Sequence, residues 1–240
     1  FILRLAEEEK KDLAADLEAE QDKMNDLERE VRKITGTVDT LEKLSKTDKE
    51  LLQKYSKVYF LNEHYVPTRL AKVSSEYVAT PGEAMQVHAS VWPFLRRLLE
   101  AAQDDDVDLR LVSAYRAFGT QAALKSSYVV TYGVGTANQF SAEQGYSEHQ
   151  LGTTVDLTTT TLGTAYENFE SSPAYKWMIE NAYRYGLVLS YPKGNAYYQF
   201  EPWHWRFVGE ELARDLRRKN KYFYDLDQRD IDKYLVSIFD

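Results

Sequence analysis

Two short stretches of the sequence carry residue types that together can do metal chemistry. In "GYSEHQLGTTVDL" (145–157), Asp156 follows His149 by seven residues, and in "EPWHWRFVG" (201–209), Glu201 precedes His204 by three. The chain has no cysteine, so a zinc site must use histidine and carboxylate ligands. His149, Asp156 and His204 form a two-histidine, one-carboxylate set, which leaves zinc's fourth position open for water. We therefore predict that Zn²⁺ binds to these three residues.

Glu201 is the spare carboxylate of this set, and it could take a proton from water and later pass it to a leaving amine. In a strictly alternating strand, Glu201 and His204 would point to opposite faces. We therefore expect a bend at Pro202 that turns both side chains toward the metal. The alternative is structural: an aromatic-rich strand can pack its rings in a core and leave its polar residues at the rim.

A cationic side chain lies upstream, in "SAYRAFGTQ" (113–121). Arg116 falls at a predicted turn from strand to helix, where its guanidinium could bind a substrate carboxylate or a developing oxyanion. A surface ion pair is the alternative role. Of the two remaining histidines, His64 precedes Pro67 in an extended stretch and is expected at a turn or on the surface. His88 falls among apolar residues of a predicted helix and is expected to face the core or to lie at its rim.

Taken together, these motifs resemble the VanY-type zinc D-alanyl-D-alanine carboxypeptidases of the LAS group of metallopeptidases. The resemblance covers about 58–240. It rests on a Ser-x-His, Gly and Asp series, on a Glu-Pro-Trp-His-Trp-Arg run, and on an upstream Ser-x-Tyr-Arg with a Gln. The matching residues are Ser147, His149, Gly152 and Asp156; Glu201, Pro202, Trp203, His204, Trp205 and Arg206; and Ser113, Tyr115, Arg116 and Gln121.

The resemblance implies a zinc peptidase that removes the C-terminal D-amino acid from peptidoglycan stem peptides. It also implies that Glu201 is the general base and that Arg116 polarises the scissile carbonyl. The substrate-binding residues that it implies are Ser147, Arg116, Ser113, Gln121 and Trp203. Alternatives are an L,D-carboxypeptidase or D,D-dipeptidase of the same group, or a coiled-coil interaction protein whose peptidase domain only binds cell-wall peptides.

The bulk composition excludes some functions. The chain has 240 residues, a net charge of −8 and a pI near 5.2, which argues against a nucleic-acid surface because such a surface needs a basic stripe. No run of 18 apolar residues is present, so no transmembrane helix is expected within it. The chain begins with Phe rather than Met, which leaves room for an upstream signal or membrane anchor. We expect an extracytoplasmic protein of the bacterial envelope.

Residues 1–44 contain no proline and place apolar residues in two heptad series, the pattern of a coiled coil. Lys10 and Glu20 interrupt the seam, and Gly36 weakens the helix. A second helix is predicted over 45–61. We expect 1–57 to form a helical coiled-coil and linker segment, with the catalytic domain over 58–240. The coil would pair with a second copy or with a partner protein.

The rest of the chain mixes helix and strand patterns with short connections. This favours an α+β fold, with a small antiparallel sheet flanked by helices, over a doubly wound parallel sheet. Strands are predicted over 107–115, 152–159, 187–192 and 203–209. Helices are predicted over 81–103 with a kink at Pro93, and over 118–133, 171–186, 208–219 and 227–239.

Overall fold

The structure, a computed structural model, describes residues 2–46, 64–132, 141–195 and 198–240. The chain divides into two compact units, Phe1–Thr47 and Asp48–Asp240. The predicted domain boundary between residues 57 and 58, and most of the second helix predicted over 45–61, lie outside the described residues. Among the residues that are described, none of the helices is both long and apolar enough to cross a membrane.

The first unit contains a single helix, α1, over Ile2–Lys46. The helical prediction for the N-terminal segment is therefore confirmed, and Gly36 does not interrupt it. The apolar residues of the predicted seam point into solvent with between 53% and 73% of their surface exposed: Leu13, Leu17, Met24, Leu27, Val31, Ile34, Val38 and Leu41. The predicted pairing of this face with another helix stays a prediction.

The second unit alternates short strands with short helices. Its strands are β1 (Leu70–Lys72), β2 (Gln86–His88), β3 (Arg110–Ser113), β4 (Thr154–Thr158), β5 (Leu187–Leu189) and β6 (His204–Phe207). Its α-helices are α2 (Trp92–Asp104), α3 (Phe118–Tyr132), α4 (Pro173–Asn181), α5 (Glu210–Lys219) and α6 (Gln228–Asp232). The described residues of this unit also include 3₁₀ segments over Ser75–Tyr77, Glu148–Leu151, Tyr166–Ser171, Ala182–Tyr185, Phe223–Asp225 and Leu235–Ser237.

Two antiparallel sheets organise this unit. Strands β1 and β2 form a two-stranded sheet, and the other four strands form a sheet in the order β3-β4-β6-β5. Every neighbouring pair in the larger sheet is antiparallel. The side chains of Leu95 and Leu98 from α2 pack with Leu157 from β4 and Phe207 from β6 in one fully buried core. The predicted α+β class with a small antiparallel sheet is confirmed.

The helix predicted over 81–103 begins later than expected. Gln86–His88 forms strand β2, and α2 starts at Trp92 with Pro93 in its first turn, so the predicted kink is wrong. Proline is favoured in the first turn because its missing N–H has no partner to lose there. His88 is therefore a strand residue rather than a helix residue. It is buried as predicted, and its ring stacks on Phe239 at 5.3 Å between centroids.

Gly152 joins the 3₁₀ segment Glu148–Leu151 to β4. Its φ is +71°, and a Cβ on it would lie 3.0 Å from the backbone nitrogen of His88. A side chain would therefore be strained in both conformation and space. This glycine lets the chain turn from His149 into the strand that carries Asp156 within a few residues.

Candidate metal centre

Three side chains converge at the centre of the larger sheet. One ligand atom from each of His149, Asp156 and His204 lies within 4.8 Å of the others, and all three residues are buried. The Nε2 atom of His149 lies 3.2 Å from Oδ2 of Asp156. The Nδ1 atom of His204 lies 3.1 Å from Oδ1 of Asp156. The structure thus brings together the three residues that the sequence predicted as ligands.

The register of the sheet accounts for this convergence. Asp156 on β4 is paired with His204 on β6, and on its other side with Ser113 on β3. Directly opposite residues of an antiparallel pair project from the same face. His149 is added from the 3₁₀ segment that precedes β4.

Each histidine has one ring nitrogen fixed by a neighbour, which leaves the other nitrogen for the cluster. The Nδ1–H of His149 donates to the carbonyl oxygen of Ala114 at 2.8 Å, so its Nε2 faces Asp156. The Nε2–H of His204 donates to Oε2 of Glu148 at 2.9 Å, so its Nδ1 faces Asp156. Partners of this kind set the tautomer and orientation of metal-ligating histidines.

Burial and charge set the protonation of the cluster. Burial lowers the pKa of His149, which favours the neutral ring that a metal requires. Burial alone would raise the pKa of Asp156, but the neighbouring His149 and His204 hold it far below its usual range. Burial alone would lower the pKa of His204, but its hydrogen bonds to Asp156 and Glu148 raise it to about 10.

Glu201 reaches the same cluster through a turn. The backbone N–H of His204 donates to the carbonyl oxygen of Glu201 at 3.2 Å, and β6 begins only at His204. The Oε2 atom of Glu201 therefore lies 3.5 Å from Nδ1 of His204, on the same side as predicted for a bend at Pro202. Burial, together with the nearby Asp156 and Glu148 carboxylates, raises the pKa of Glu201 to about 7. A pKa near 7 suits a general base at neutral pH.

Arg116 lies between the end of β3 and the start of α3, largely covered. Its Nη2–H donates to Oγ of Ser113 at 2.9 Å and lies 3.8 Å from Oδ2 of Asp156. Its Nη1–H donates to Oε1 of Gln121 at 2.8 Å. With only 17% of its side chain exposed, Arg116 is not a surface ion pair. The Arg116 guanidinium therefore places a positive charge beside the Asp156 carboxylate.

Gln121 is placed to orient Arg116. Only 1% of its surface is exposed, and both ends of its amide are engaged. Its oxygen accepts from Arg116, and its Nε2–H donates to the carbonyl oxygen of Ala142 at 2.7 Å. Gln121 also lines the cavity, and its predicted contact with substrate stays a prediction.

The cluster opens into a cavity of about 400 Å³, a size typical of small-ligand sites. Ser147 and Trp203, both predicted to contact substrate, line this cavity. The ring of Trp203 meets the ring of Tyr166 edge-on at 5.3 Å. Tyr191 also lines the cavity and stacks on the ring of His204 at 4.8 Å. The tyrosines of this wall were not among the predicted site residues, and no spacing in the sequence marks them.

Sequence reasoning also missed Glu148, which is buried behind His204. Its Oε2 accepts from His204 and from Oγ of Ser190 at 2.8 Å. Its Oε1 accepts from Nη1 of Arg206 at 2.8 Å and from the hydroxyl of Tyr224. A signal did exist, because a ligand histidine needs an acceptor for its second nitrogen and Glu148 is adjacent to His149 in the chain. The sequence alone could not show which histidine it serves.

An antiparallel α+β fold with two histidines and an aspartate beside a buried glutamate has the architecture of a mononuclear metallohydrolase. The donor set fits zinc, because His nitrogen and Asp oxygen are both ordinary zinc ligands and three of them leave one position open. The model of the VanY family, described as D-alanyl-D-alanine carboxypeptidase, matches residues 84–210. The chain belongs to this family.

Curated relatives agree with the family assignment. The putative carboxypeptidase YodJ of Bacillus subtilis (strain 168) is 30% identical over 182 residues, which cover 74% of this chain and 66% of the relative. A D-alanyl-D-alanine carboxypeptidase of Enterococcus faecalis (strain ATCC 700802 / V583) is 33% identical over 144 residues, which cover 55% of this chain and 51% of the relative. The chain thus spans between half and two thirds of the length of these relatives.

Solved structures show the same fold. The LdcB LD-carboxypeptidase aligns with a TM-score of 0.64 at 24% identity, over 80% of this chain and 89% of its own. The vancomycin resistance D,D-pentapeptidase VanY from a VanB-type cassette, determined as a mutant with Zn(II), aligns with a TM-score of 0.56 at 24% identity. That alignment covers 71% of this chain and 98% of the neighbour.

Proposed function

We propose that this protein is a zinc carboxypeptidase that hydrolyses the C-terminal D-amino acid peptide bond of peptidoglycan stem peptides. The observation that carries the proposal is the convergence of His149, Asp156 and His204 beside Glu201 in a member of the VanY family. Support for the metal comes from the donor set and from a fold neighbour determined with Zn(II).

The chain's own residues would divide the chemistry as follows. His149 Nε2, Asp156 and His204 Nδ1 would hold zinc, which supplies a Lewis acid and lowers the pKa of a bound water to about 7. Glu201 would take the proton of the attacking water and return it to the leaving amine. Arg116, held by Ser113 and Gln121, would stabilise the negative charge that develops on the carbonyl oxygen.

The remaining predicted contacts concern the substrate. Ser147 lies at the start of the segment that carries His149, and we propose that its hydroxyl binds the terminal carboxylate of the peptide. Trp203 would pack against the peptide where it enters the cavity. Burying a peptide end between aromatic rings and a few fixed polar groups is how small-ligand sites usually obtain orientation.

The second candidate is an L,D-carboxypeptidase, and the specific observation in its favour is the fold match to LdcB. Purified protein incubated with defined tetrapeptide and pentapeptide stems, read by mass spectrometry, separates the candidates. Loss of one D-alanine from the pentapeptide alone supports the D,D activity. Loss from the tetrapeptide supports the L,D activity, and hydrolysis of free D-alanyl-D-alanine, offered as a third substrate, supports a D,D-dipeptidase. Binding of either stem without cleavage supports a protein that only recognises wall peptides.

This function places the protein outside the cytoplasm, where peptidoglycan lies. We propose that residues 1–57 form a helical segment separable from a catalytic domain over 58–240. A membrane anchor upstream of residue 1 stays a prediction.

We propose further that the exposed face of α1 pairs with a second copy of this chain or with a partner protein. More than half of the surface of each described seam side chain is exposed to solvent. Pairing two such apolar faces is favourable because it removes their surface from water. A parallel pair of copies would place Lys23 of one helix across from Glu28 of the other. Charge pairs of this type at the flanks of a seam set partner choice and orientation.

Because the chain has no cysteine, single cysteines can test this pairing directly. We expect Leu17→Cys to form a disulfide-linked dimer under mild oxidation, whereas Asp22→Cys, on the outer face, should not. Deletion of 1–44 should abolish self-association in sedimentation while hydrolysis of small stem peptides stays within a few-fold. A parent protein that sediments as a monomer and forms no Leu17→Cys dimer would leave a different partner protein as the occupant.

A further inference from the structure

We propose that Glu148 is a positioning residue that fixes the His204 ring so that Nδ1, and not Nε2, faces the metal. The inference rests on the proposed zinc site. It goes beyond that site because Glu148 is not one of the ligands and does not belong to the predicted catalytic set.

Hydrogen-bond donors saturate the Glu148 carboxylate. Its Oε2 accepts from Nε2 of His204 at 2.9 Å and from Oγ of Ser190 at 2.8 Å. Its Oε1 accepts from Arg206 at 2.8 Å and from the hydroxyl of Tyr224. Four donors from three separate parts of the chain leave the carboxylate a single orientation. A ring that donates to it is then held in one orientation as well.

A buried cation lies behind Glu148, on the side of the second carboxylate oxygen. Arg206 is fully buried, and its guanidinium lies 4.4 Å from the centre of the Phe223 ring. The Nη1 atom of Arg206 lies 2.8 Å from Oε1 of Glu148, so an ion pair holds that oxygen of the carboxylate in place. Because Nε2 of His204 is directed at the other oxygen at 2.9 Å, the ring nitrogen that faces the cluster is Nδ1.

Two aromatic neighbours pack against the His204 ring. Tyr191 stacks on His204 with an angle of 27° between the rings, and the ring of His149 meets it edge-on at 5.0 Å. These contacts restrict the tilt of the His204 ring but do not choose between its two nitrogens. The hydrogen bond to Glu148 makes that choice.

The variant that tests the proposal is Glu148→Gln, with zinc affinity measured by competition against a chelator of known affinity. An amide oxygen can still accept from one neighbour, but its NH₂ group then points at another donor, so the ring loses a fixed acceptor. We expect zinc affinity to fall about 10- to 100-fold, the usual effect of removing such a partner.

Two matched controls disturb the same buried group without touching the bond to His204. Ser190→Ala removes one donor to Oε2, and Tyr224→Phe removes one donor to Oε1. Each variant leaves three of the four donors in place, His204 among them, so both should keep zinc affinity within about three-fold of the parent protein. Controls that lose as much affinity as Glu148→Gln would reduce Glu148 to a structural role and overturn the proposal.

A measurement on the zinc-loaded parent protein needs no substitution. In ¹⁵N-labelled protein, the histidine side-chain nitrogen resonances should show His204 protonated at Nε2 and metal-bound at Nδ1. Binding through Nε2 overturns the proposal even if Glu148→Gln does not fold. If the parent protein binds no zinc at all, the proposed function itself fails, and this outcome is distinct from a wrong nitrogen.

Discussion

Glu201→Gln is the substitution that most directly separates metal binding from catalysis. The side chain of Glu201 is 13% exposed, so bulk water has little access to replace it as a base. The change keeps the size of the side chain and leaves the three proposed ligands untouched. General-base catalysis typically contributes about 10²- to 10⁴-fold, which corresponds to about 2.7 to 5.4 kcal/mol of activation free energy. We expect kcat to fall by at least about 10²-fold.

The assay is release of D-alanine from the stem peptide that the parent protein cleaves, measured alongside bound zinc and thermal stability. Zinc content should stay near one per chain, since Glu201 is not among the ligands. Glu143→Gln is the matched control, because this exposed glutamate is held near the same cavity by Lys125 at 3.4 Å. It should keep near-normal kcat. Near-normal turnover in Glu201→Gln would show that another group is the base.

Three further predictions concern the cluster. His204→Ala should lose stoichiometric zinc in metal analysis, and a variant that still holds one zinc per chain would place the site elsewhere. Zinc uptake should release about one proton near pH 7, because hydrogen bonds to Asp156 and Glu148 raise the pKa of His204 to about 10 and ligation through Nδ1 requires that nitrogen to be deprotonated. Calorimetry in buffers of different ionisation enthalpy measures the number of protons released. Zinc affinity that does not rise with pH would contradict this prediction. Gln121→Leu should lower kcat/KM about ten-fold or more at unchanged zinc content, because Arg116 loses a 2.8 Å hydrogen bond. Unchanged kcat/KM would mean that Gln121 does not orient the guanidinium.

The convergence of His149, Asp156 and His204 could be predicted from the sequence because candidate ligand residues are few and chemically distinctive. The chain has four histidines and no cysteine, so a metal hypothesis has little choice of donors. The turn that brings Glu201 to the side of His204 was also accessible, since Pro202 argues against a regular strand there. These conclusions depend on residue type and short spacing, both of which are local.

The supporting groups could not be predicted, because their contacts join distant parts of the chain. Glu148 meets Tyr224 across 76 positions, and no local pattern encodes that distance. The hydrogen bonds of the Gln121 amide to Arg116 and to the carbonyl oxygen of Ala142 were not predictable for the same reason. The helix predicted over 81–103 was too long because its apolar residues fit a helical period. Tertiary pairing with β1 instead makes Gln86–His88 a strand.

The alternation along β4 shows how one strand can serve both the core and the site. The sequence Thr154–Val155–Asp156–Leu157–Thr158 alternates polar and apolar residues, a pattern usually read as one face in water. All five residues are buried, however. The register places Asp156 opposite His204 and Thr154 opposite Arg206 on one face, and Val155 opposite Trp205 on the other. The polar face is thus covered by the residues of the site rather than by solvent.

A slip of one residue between β4 and β6 would turn Asp156 into the core and Val155 into the cluster. Such a slip would bury an unpaired carboxylate among apolar side chains, so the residues needed for the chemistry also specify the pairing of the strands.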